Sequence, residues 1–354
     1  MDVYFSTVVR GAPIEKGGEL VRLDWDTKRV LGRKAIVPRD PDVDDPNPRG
    51  SSRGGRGILV RHDELLVANY HSLLRFDRRL NPLSGHTDNL FVGLHELAQV
   101  EDRVWLAATS IDAAIAIDDA GRVVDTWWPR ECPELQKHLG LEPLEIDKTA
   151  DNRLRFLGDS SLAGSHTHLN AVAVEDGELY ALLNRYGVIW NATTGRPFAE
   201  HPALVGAHNL LFIGGRVLVN DTRGKRVLVF DPEGGLVRAI DLLGFTAVAR
   251  LHRRHRPRYL LQVAAKKLLG TRVVARPLFV RGLAHLEGSR FLVGISPATI
   301  LEIDIDSGEL LDQFRYSRDV RVCPHGLVAI ADSAHEAGTS PDGVASPVPE
   351  QSRR

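Results

Sequence analysis

Hydrophobic and polar positions alternate along this chain in short runs, and turns rich in Gly, Asp and Pro separate the runs. Residues 215–241 show the unit: RVLVN, a DTRGK turn, RVLVFD, a PEGG turn and LVRAID. Period-two alternation with β-branched residues predicts an antiparallel meander. Together with the preceding HNLLFI run, the unit has four strands, which is the size of one propeller blade.

The first strand of this unit recurs along the chain. Its copies open at Arg56, His95, His168, His208, Arg281 and His325. A recurring unit of this length is a blade signature. The four-strand pattern fits 56–84, 95–129, 168–198 and 281–317 as well, and the last blade combines 325–330 with 3–37. We therefore predict an all-β, six-bladed β-propeller, which N- and C-terminal strands close by sharing one blade.

The prediction assigns residues 1–335 to a single propeller domain with three long inserts, 38–55, 130–165 and 243–280. Antiparallel strands return the chain to the same face each time, so the inserts and the first residues of the inner strands are expected on one face. Short helices are expected around 133–140 and 259–270. Residues 336–354 are predicted to be a disordered tail because they are polar and rich in Pro, Ser and Gly.

Composition narrows the class of protein. The chain has 354 residues, 43% of them hydrophobic, and a net charge of −1. A balanced charge gives no argument for binding nucleic acid. The two cysteines lie far apart and outside any CxxC pattern, which favours a reducing compartment. No signal peptide or membrane-spanning run is visible, so we expect a cytoplasmic protein without a transmembrane segment.

Four of the six aligned positions are histidine. Neutral imidazole is the commonest metal ligand, so His95, His168, His208 and His325 predict a site for a divalent transition metal at the top of the propeller channel. Histidine count does not distinguish zinc, iron, copper and manganese. His166 lies two residues before His168 in a strand-like segment and is expected to act as a second ligand or as a base.

The remaining two aligned positions, Arg56 and Arg281, predict binding of a small anionic substrate, because a guanidinium group holds a carboxylate, phosphate or sulfate through paired hydrogen bonds. Polar residues on the same face complete the predicted site. The further substrate-binding candidates are Asn170, Asn184, Arg185 and Asn220, and the candidate catalytic acids or bases are Tyr70, Tyr186 and His166. The leading hypothesis is a metal-dependent enzyme that acts on this anion.

Two alternatives stay open. One is a metal-free transferase or hydrolase that uses histidine as acid or base. The other is a non-catalytic propeller that docks a partner through the basic insert, since residues 250–276 contain nine Lys or Arg and no acidic residue. Such a segment suits an acidic protein, a carrier protein or an anionic membrane surface, or else forms a lid on the propeller.

Two motifs carry a family resemblance. THLNAVAVEDGELYAL (167–182) and FVRGLAHLEGSRFLVGIS (279–296) resemble blade motifs of an uncharacterised bacterial six-bladed propeller family. More distantly, the blades are similar to NHL-repeat and gluconolactonase-type propellers. In residue type, the aligned positions are also similar to peptidyl-amidoglycolate lyases, which hold zinc through histidines beside arginines, and to carotenoid oxygenases, which hold iron through four histidines. The resemblance implies the fold and a metal-dependent lyase, hydrolase or oxygenase.

Overall fold

The computed structural model describes residues 1–43, 54–143, 145–154, 166–271, 273 and 275–331. Its strands form six antiparallel sheets of four strands each. The innermost strand of every sheet contacts the innermost strands of the two neighbouring sheets, so the sheets close into a ring. The predicted six-bladed propeller is therefore confirmed. The predicted tail, most of the loop 38–55 and residues 155–165 lie outside the described residues.

The strands follow the repeat. The N-terminal strands are β1 (Asp2–Val9), β2 (Glu19–Asp24) and β3 (Arg29–Ala35). The next two blades are β4 (Ile58–Arg61), β5 (Glu64–Ala68), β6 (Leu73–Asp77), β7 (Pro82–His86), and β8 (Leu94–Val100), β9 (Arg103–Ala108), β10 (Ala113–Ile117), β11 (Val123–Trp127). The following two are β12 (Leu169–Glu175), β13 (Glu178–Leu183), β14 (Val188–Asn191), β15 (Arg196–Glu200), and β16 (His208–Ile213), β17 (Arg216–Asp221), β18 (Arg226–Phe230), β19 (Leu236–Asp241). The last strands are β20 (Arg281–Glu287), β21 (Arg290–Ile295), β22 (Thr299–Asp304), β23 (Leu310–Arg315) and β24 (Val322–Ile330).

The closing blade joins both ends of the chain, as predicted. Strand β24 is its innermost strand and pairs antiparallel with β1 from Asp2↔Ile330 to Val9↔Val322. A bulge in β24 leaves Ser6 of β1 opposite two residues, and the Ser6 hydroxyl accepts from the Gly326 N–H at 2.9 Å and donates to the Arg56 carbonyl at 2.6 Å. Closure pairs the strand edges that would otherwise be exposed, and Ser6 ties this blade to the next one.

The core lies between neighbouring blades. One cluster joins the first two complete blades through Leu73, Leu94, Leu106 and Ile115, and a second fills the space between β16–β19 and β20–β23. Outer strands are largely exposed, whereas middle strands such as β10 are buried along their whole length. Burying a side chain such as Leu or Ile contributes about 1.5–3 kcal/mol, so packing between blades is the main source of stability.

Among the described residues, two α-helices lie in connections between blades. The helix α1 (Pro133–Leu139) matches the predicted helix at 133–140. The helix α2 (Thr246–Leu269) begins well before the predicted 259–270 and has 24 residues. In the described part of the chain, no helix combines the length and apolar character needed to cross a membrane.

Candidate functional site

The inner strands β12, β16 and β20 each begin with an irregularity that orients their first residues. The antiparallel register skips Asn209 and Gly282, one residue after the aligned His208 and Arg281, and Asn170, two residues after His168. Gly282 has φ +80°, and a Cβ there would lie 3.0 Å from the carbonyl oxygen of His325. A bulge re-aims the neighbouring side chain, and here it allows adjacent inner strands to approach closely at the ring axis.

Arg281 connects the aligned side chains around the propeller axis, which together we call the ring. Its Nη1 lies 2.7 Å from Nε2 of His325 and its Nη2 lies 2.5 Å from Nε2 of His208. Arg281 is 8% exposed and its Nε has no hydrogen-bond partner. Its two Nη groups contact imidazoles, and among the described residues the Glu96 carboxyl acts on it electrostatically without forming an ion pair. The structure therefore brings three of the six predicted positions into direct contact around a buried positive charge.

The Thr222 hydroxyl determines the tautomer of His208. Its Oγ1 donates to the Val280 carbonyl at 2.8 Å, so the hydroxyl proton is used there. His208 Nδ1 lies 2.8 Å from the same oxygen and must therefore donate to it. A neutral His208 then carries its lone pair on Nε2, where it accepts from Arg281. Every hydrogen bond from the Val280 carbonyl through Thr222 and His208 to the guanidinium group of Arg281 then joins one donor to one acceptor.

His95 and Arg56 form the second contact group of the ring. His95 Nδ1 lies 2.7 Å from the Gly93 carbonyl oxygen, which only accepts, so Nδ1 carries a proton and the lone pair of neutral His95 is on Nε2. Arg56 Nη1 donates to the Leu94 carbonyl at 2.6 Å and lies 3.1 Å from His95 Nδ1. The rings of His95 and His325 are 5.5 Å apart. The two contact groups are therefore adjacent.

Burial and positive charge keep the aligned histidines neutral. Burial is the largest cause that lowers the pKa of His95, His208 and His325 well below 6.5, and Arg281 lowers all three further. Burial, His166 and Arg281 lower the pKa of His168 to about 4. Burial, Arg10 and Arg56 lower the pKa of Arg281 itself. The ring thus combines neutral imidazole bases with a guanidinium group whose charge the surroundings disfavour.

Glu96 is a ring residue that the sequence analysis missed. It follows His95 on β8, and its Oε1 accepts from Asn209 Nδ2 at 2.7 Å. Asn209 Oδ1 in turn accepts from Asn220 Nδ2 and from the Gly282 N–H, each at 2.9 Å. Burial raises the pKa of Glu96 to about 7, although Arg281 and Arg56 act against it. In the sequence, the feature that could have revealed Glu96 is an acidic residue on a predicted inner strand.

Other predicted residues occupy structural positions. The side-chain amides of Asn170 and Asn184 donate to the Ala207 carbonyl at 3.0 and 2.5 Å, and Asn220 donates to the Gly282 carbonyl at 3.2 Å. These asparagines link neighbouring blades. Tyr70 is 2% exposed and lies between blades, with its hydroxyl 3.3 Å from Ser110 Oγ.

The remaining candidates are Tyr186, Arg185 and His166, and none of them contacts Arg281 in a hydrogen bond. Tyr186 packs against the buried cluster that contains Trp190, and Arg185 is exposed. His166 is 3% exposed and its Nδ1 accepts from the His168 N–H at 2.9 Å. Asp112 holds this segment by accepting from the Thr167 N–H and hydroxyl, both at 2.7 Å. His166 therefore shapes the backbone that carries His168.

The donor set does not fit a metal ion. Among the described residues, no three His, Cys, Asp or Glu side chains are arranged to hold one. The Nε2 lone pairs of His208 and His325 both point to the guanidinium group of Arg281 and accept hydrogen bonds from it. A divalent cation would have to replace that group and stay close to Arg56. The predicted metal centre is therefore not confirmed.

A cleft of about 520 Å³ leads from the ring to α2. His208, Thr222 and Phe279 line its inner end, and residues of α2 line its outer end. Every lining residue with a permanent charge is a cation: Arg223, Lys225, Arg256 and Arg276. The guanidinium groups of Arg10 and Arg281 lie 4.5 and 4.7 Å from the centre of the Phe279 ring. The route into the ring is therefore positively charged.

Comparisons with known proteins support the fold. No protein-family model and no curated protein matches the chain. A protein of unknown function from Bacteroides caccae is 10% identical over 92% of this chain and 97% of its own, with a TM-score of 0.56. Virginiamycin B lyase from Staphylococcus aureus is 9% identical (93% and 92% covered, TM-score 0.49), and the Cps50 (Swd1) propeller domain is 13% identical (89% and 84%, TM-score 0.48).

These likenesses establish a β-propeller and nothing finer. The identity to the Bacteroides caccae protein is too low to transfer an activity, and the TM-scores of the other two are too low to carry an argument. Membership of the uncharacterised bacterial family stays a prediction.

Proposed function

We propose that the ring binds a small anionic substrate at Arg281 and uses a neutral histidine as general base, in a metal-free lyase or hydrolase. The observation that carries the proposal is the buried Arg281 guanidinium, which has two imidazole partners and, among the described residues, no ion-paired carboxylate. Glu96 compensates its charge only in part, because burial raises the pKa of Glu96 to about 7. A buried charge is normally compensated by an opposite charge. A carboxylate, phosphate or sulfate of the substrate supplies that compensation.

Binding of the anion also prepares the base. In the structure, the Nε2 lone pairs of His208 and His325 are occupied by the N–H groups of Arg281. An anion that accepts from Nη1 or Nη2 takes over one of these hydrogen bonds, which releases an imidazole lone pair beside the substrate. For His208, the bond from Nδ1 to Thr222 holds the ring in the tautomer that a base requires.

The lining of the cleft supports an anionic substrate with a partly apolar remainder. It connects the ring to solvent at His208, and its cations Arg223, Lys225, Arg256 and Arg276 attract negative charge. Phe279, Leu278 and Tyr259 offer apolar surface in the same cleft. A substrate that carries an anionic group for Arg281 and a partly apolar remainder fits both parts.

The binding step is tested by calorimetric titration of the protein with inorganic phosphate, sulfate and malonate. We expect at least one of these anions to bind the wild-type protein and Arg281→Gln to weaken that binding about tenfold or more, because a charge-assisted pair is lost. Arg216→Gln is the matched control, since Arg216 is exposed and paired with Asp306 on an outer surface. Equal binding by both variants would remove Arg281 from the site.

The catalytic step is tested by a screen of lyase and hydrolase reactions on small carboxylates, phosphate esters and sulfate esters. For a substrate found in this way, His208→Asn should lower kcat about 100-fold or more while anion binding persists, since general base catalysis contributes about that factor. The control is His285→Asn, because His285 is an exposed residue of β20. A His208→Asn enzyme with unchanged kcat would exclude His208 as the base.

A further inference from the structure

The helix α2 is attached to the propeller only by its first turns. Its buried residues are Val248 and Leu251, which pack in the core cluster that contains Ile240 and Leu278. At 1.5 Å per residue, a helix of 24 residues is about 36 Å long. From residue 252 to its end at Leu269, no residue of α2 is buried. Most of the helix therefore extends along the surface or away from it.

The outer half of α2 carries an apolar stripe. Leu261, Ala264, Ala265 and Leu268 are spaced i, i+3, i+4 and i+7, which places them on one side of a helix. Leu261 is 71% exposed and Leu268 is 83% exposed, and the adjacent Leu269 is 76% exposed. Residues that line the cleft, such as His252 and Tyr259, occupy another side of the helix. We call these five residues, Leu261, Ala264, Ala265, Leu268 and Leu269, the leucine stripe.

Only positive charge accompanies the leucine stripe. Residues 242–271 contain no Asp or Glu, whereas the chain as a whole has 46 acidic residues against 45 basic ones. Arg253, Lys266 and Lys267 are exposed on α2. A binding partner of this helix must therefore offer both negative charge and an apolar layer.

We propose that the leucine stripe docks on the surface of an anionic lipid bilayer. Leucine side chains enter the boundary between headgroups and acyl chains, while the long stems of Lys266 and Lys267 let their ammonium groups reach anionic headgroups. A bilayer needs no shaped complementary surface, which suits a stripe of leucine and alanine on an extended helix. The helix lies on the membrane in this arrangement and does not cross it. The inference is independent of the reaction proposed for the ring.

The proposal is tested by sedimentation of the full-length protein with two kinds of vesicle. One contains phosphatidylcholine alone, and the other contains equal parts of phosphatidylcholine and phosphatidylglycerol. We expect the protein to sediment with the anionic vesicles only, and binding to weaken as salt is raised, because salt screens exposed charges. Failure to sediment with anionic vesicles at low salt would overturn the proposal.

Two variants and their matched controls separate the leucine stripe from general surface effects. Leu261→Ser with Leu268→Ser, and Lys266→Glu with Lys267→Glu, should each lower the partition coefficient about tenfold or more. The first control is Leu83→Ser with Leu311→Ser, which are exposed leucines on outer strands, and the second is Arg29→Glu with Lys34→Glu on β3. All four should keep the circular dichroism and thermal unfolding of the wild type, because none replaces a buried residue.

Two polyanions without lipid are tested as alternative binding partners of α2. Polyglutamate and duplex DNA are titrated against α2 variants at the same ionic strength. Binding to polyglutamate or DNA that depends on Leu261 and Leu268, without binding to anionic vesicles, would overturn the lipid assignment. A loss of vesicle binding in the control variants as large as in the stripe variants would do the same.

Discussion

Glu96 provides a test of how strongly the ring desolvates its members. Replacing Glu96 with Gln keeps an oxygen that accepts from Asn209 Nδ2 and removes the ionisable group. In the folded protein burial raises the pKa of Glu96 to about 7, against an ordinary value of 4.5. At 1.36 kcal/mol per pH unit, this difference corresponds to about 3 kcal/mol. The sign follows from proton binding: between pH 4.5 and 7 the folded state holds a proton at Glu96 that the unfolded state has released.

Wild-type stability therefore contains a contribution from Glu96 that is complete below pH 4.5 and is lost as the pH rises through 7. We expect Glu96→Gln and wild type to differ little at pH 4, and the variant to be more stable by about 3 kcal/mol at pH 8. Urea unfolding followed by circular dichroism at several pH values measures the difference. Glu233→Gln, on an exposed turn, is the control for loss of a carboxyl group. A difference between Glu96→Gln and wild type that is the same at pH 4 and pH 8 would refute this reasoning.

Three further predictions concern the geometry of the ring. Between pH 6.5 and 4, the free energy of unfolding should fall by about 3 kcal/mol less in His168→Gln than in wild type, because the pKa of folded His168 is about 4. Urea unfolding measures this, and a pH profile identical to wild type would contradict it. Arg281→Met should raise the pKa of His325 in NMR titrations, because Arg281 donates to its Nε2 and repels a second charge, and an unchanged pKa would be evidence against that contact. Gly282→Ala should lower the free energy of unfolding by about 1–2 kcal/mol more than Gly177→Ala. The φ angles of Gly282 and Gly177 are +80° and +78°, but of these two only Gly282 has neighbouring atoms that an added Cβ would contact. Equal losses of stability in the two variants would show that backbone strain is the whole cause.

The sequence was sufficient to predict the six-bladed fold and the six aligned positions, but neither their contacts nor the place of Glu96 among them. Period-two alternation places His208 and Arg281 at equivalent points of neighbouring blades, and the structure finds them there. Alignment along strands gives no information on how far a side chain reaches across the axis. Arg281 is long enough to lie between His208 and His325, which turns a predicted metal cage into a hydrogen-bonded cluster.

The asparagines show why polar residues near a predicted site are ambiguous. Asn170 and Asn220 lie close to the aligned positions, and their exposure cannot be read from the sequence. Their amide groups donate to backbone carbonyls of the next blade: Asn170 to Ala207, which precedes β16, and Asn220 to the bulge residue Gly282 of β20. Glu96 was overlooked for the converse reason: a single acidic residue on a strand usually indicates an exposed position.

Proton binding connects the stability of the ring with its proposed ligand. The pKa values of His95, His168, His208 and His325 are all lowered by burial and by Arg281, so folding releases protons from these residues below pH 6.5. An anion bound at Arg281 offsets positive charge and raises the pKa of its neighbours. By linkage, the same anion must bind more tightly as the pH falls from 7 to 5, because the bound form takes up protons. Calorimetry at both pH values measures this, and phosphate is avoided because it titrates in this range, whereas sulfate does not. A sulfate affinity that is the same at pH 7 and pH 5 would show that no group of the ring takes up a proton when the anion binds, not even Glu96 with its pKa of about 7, and this would contradict binding at Arg281.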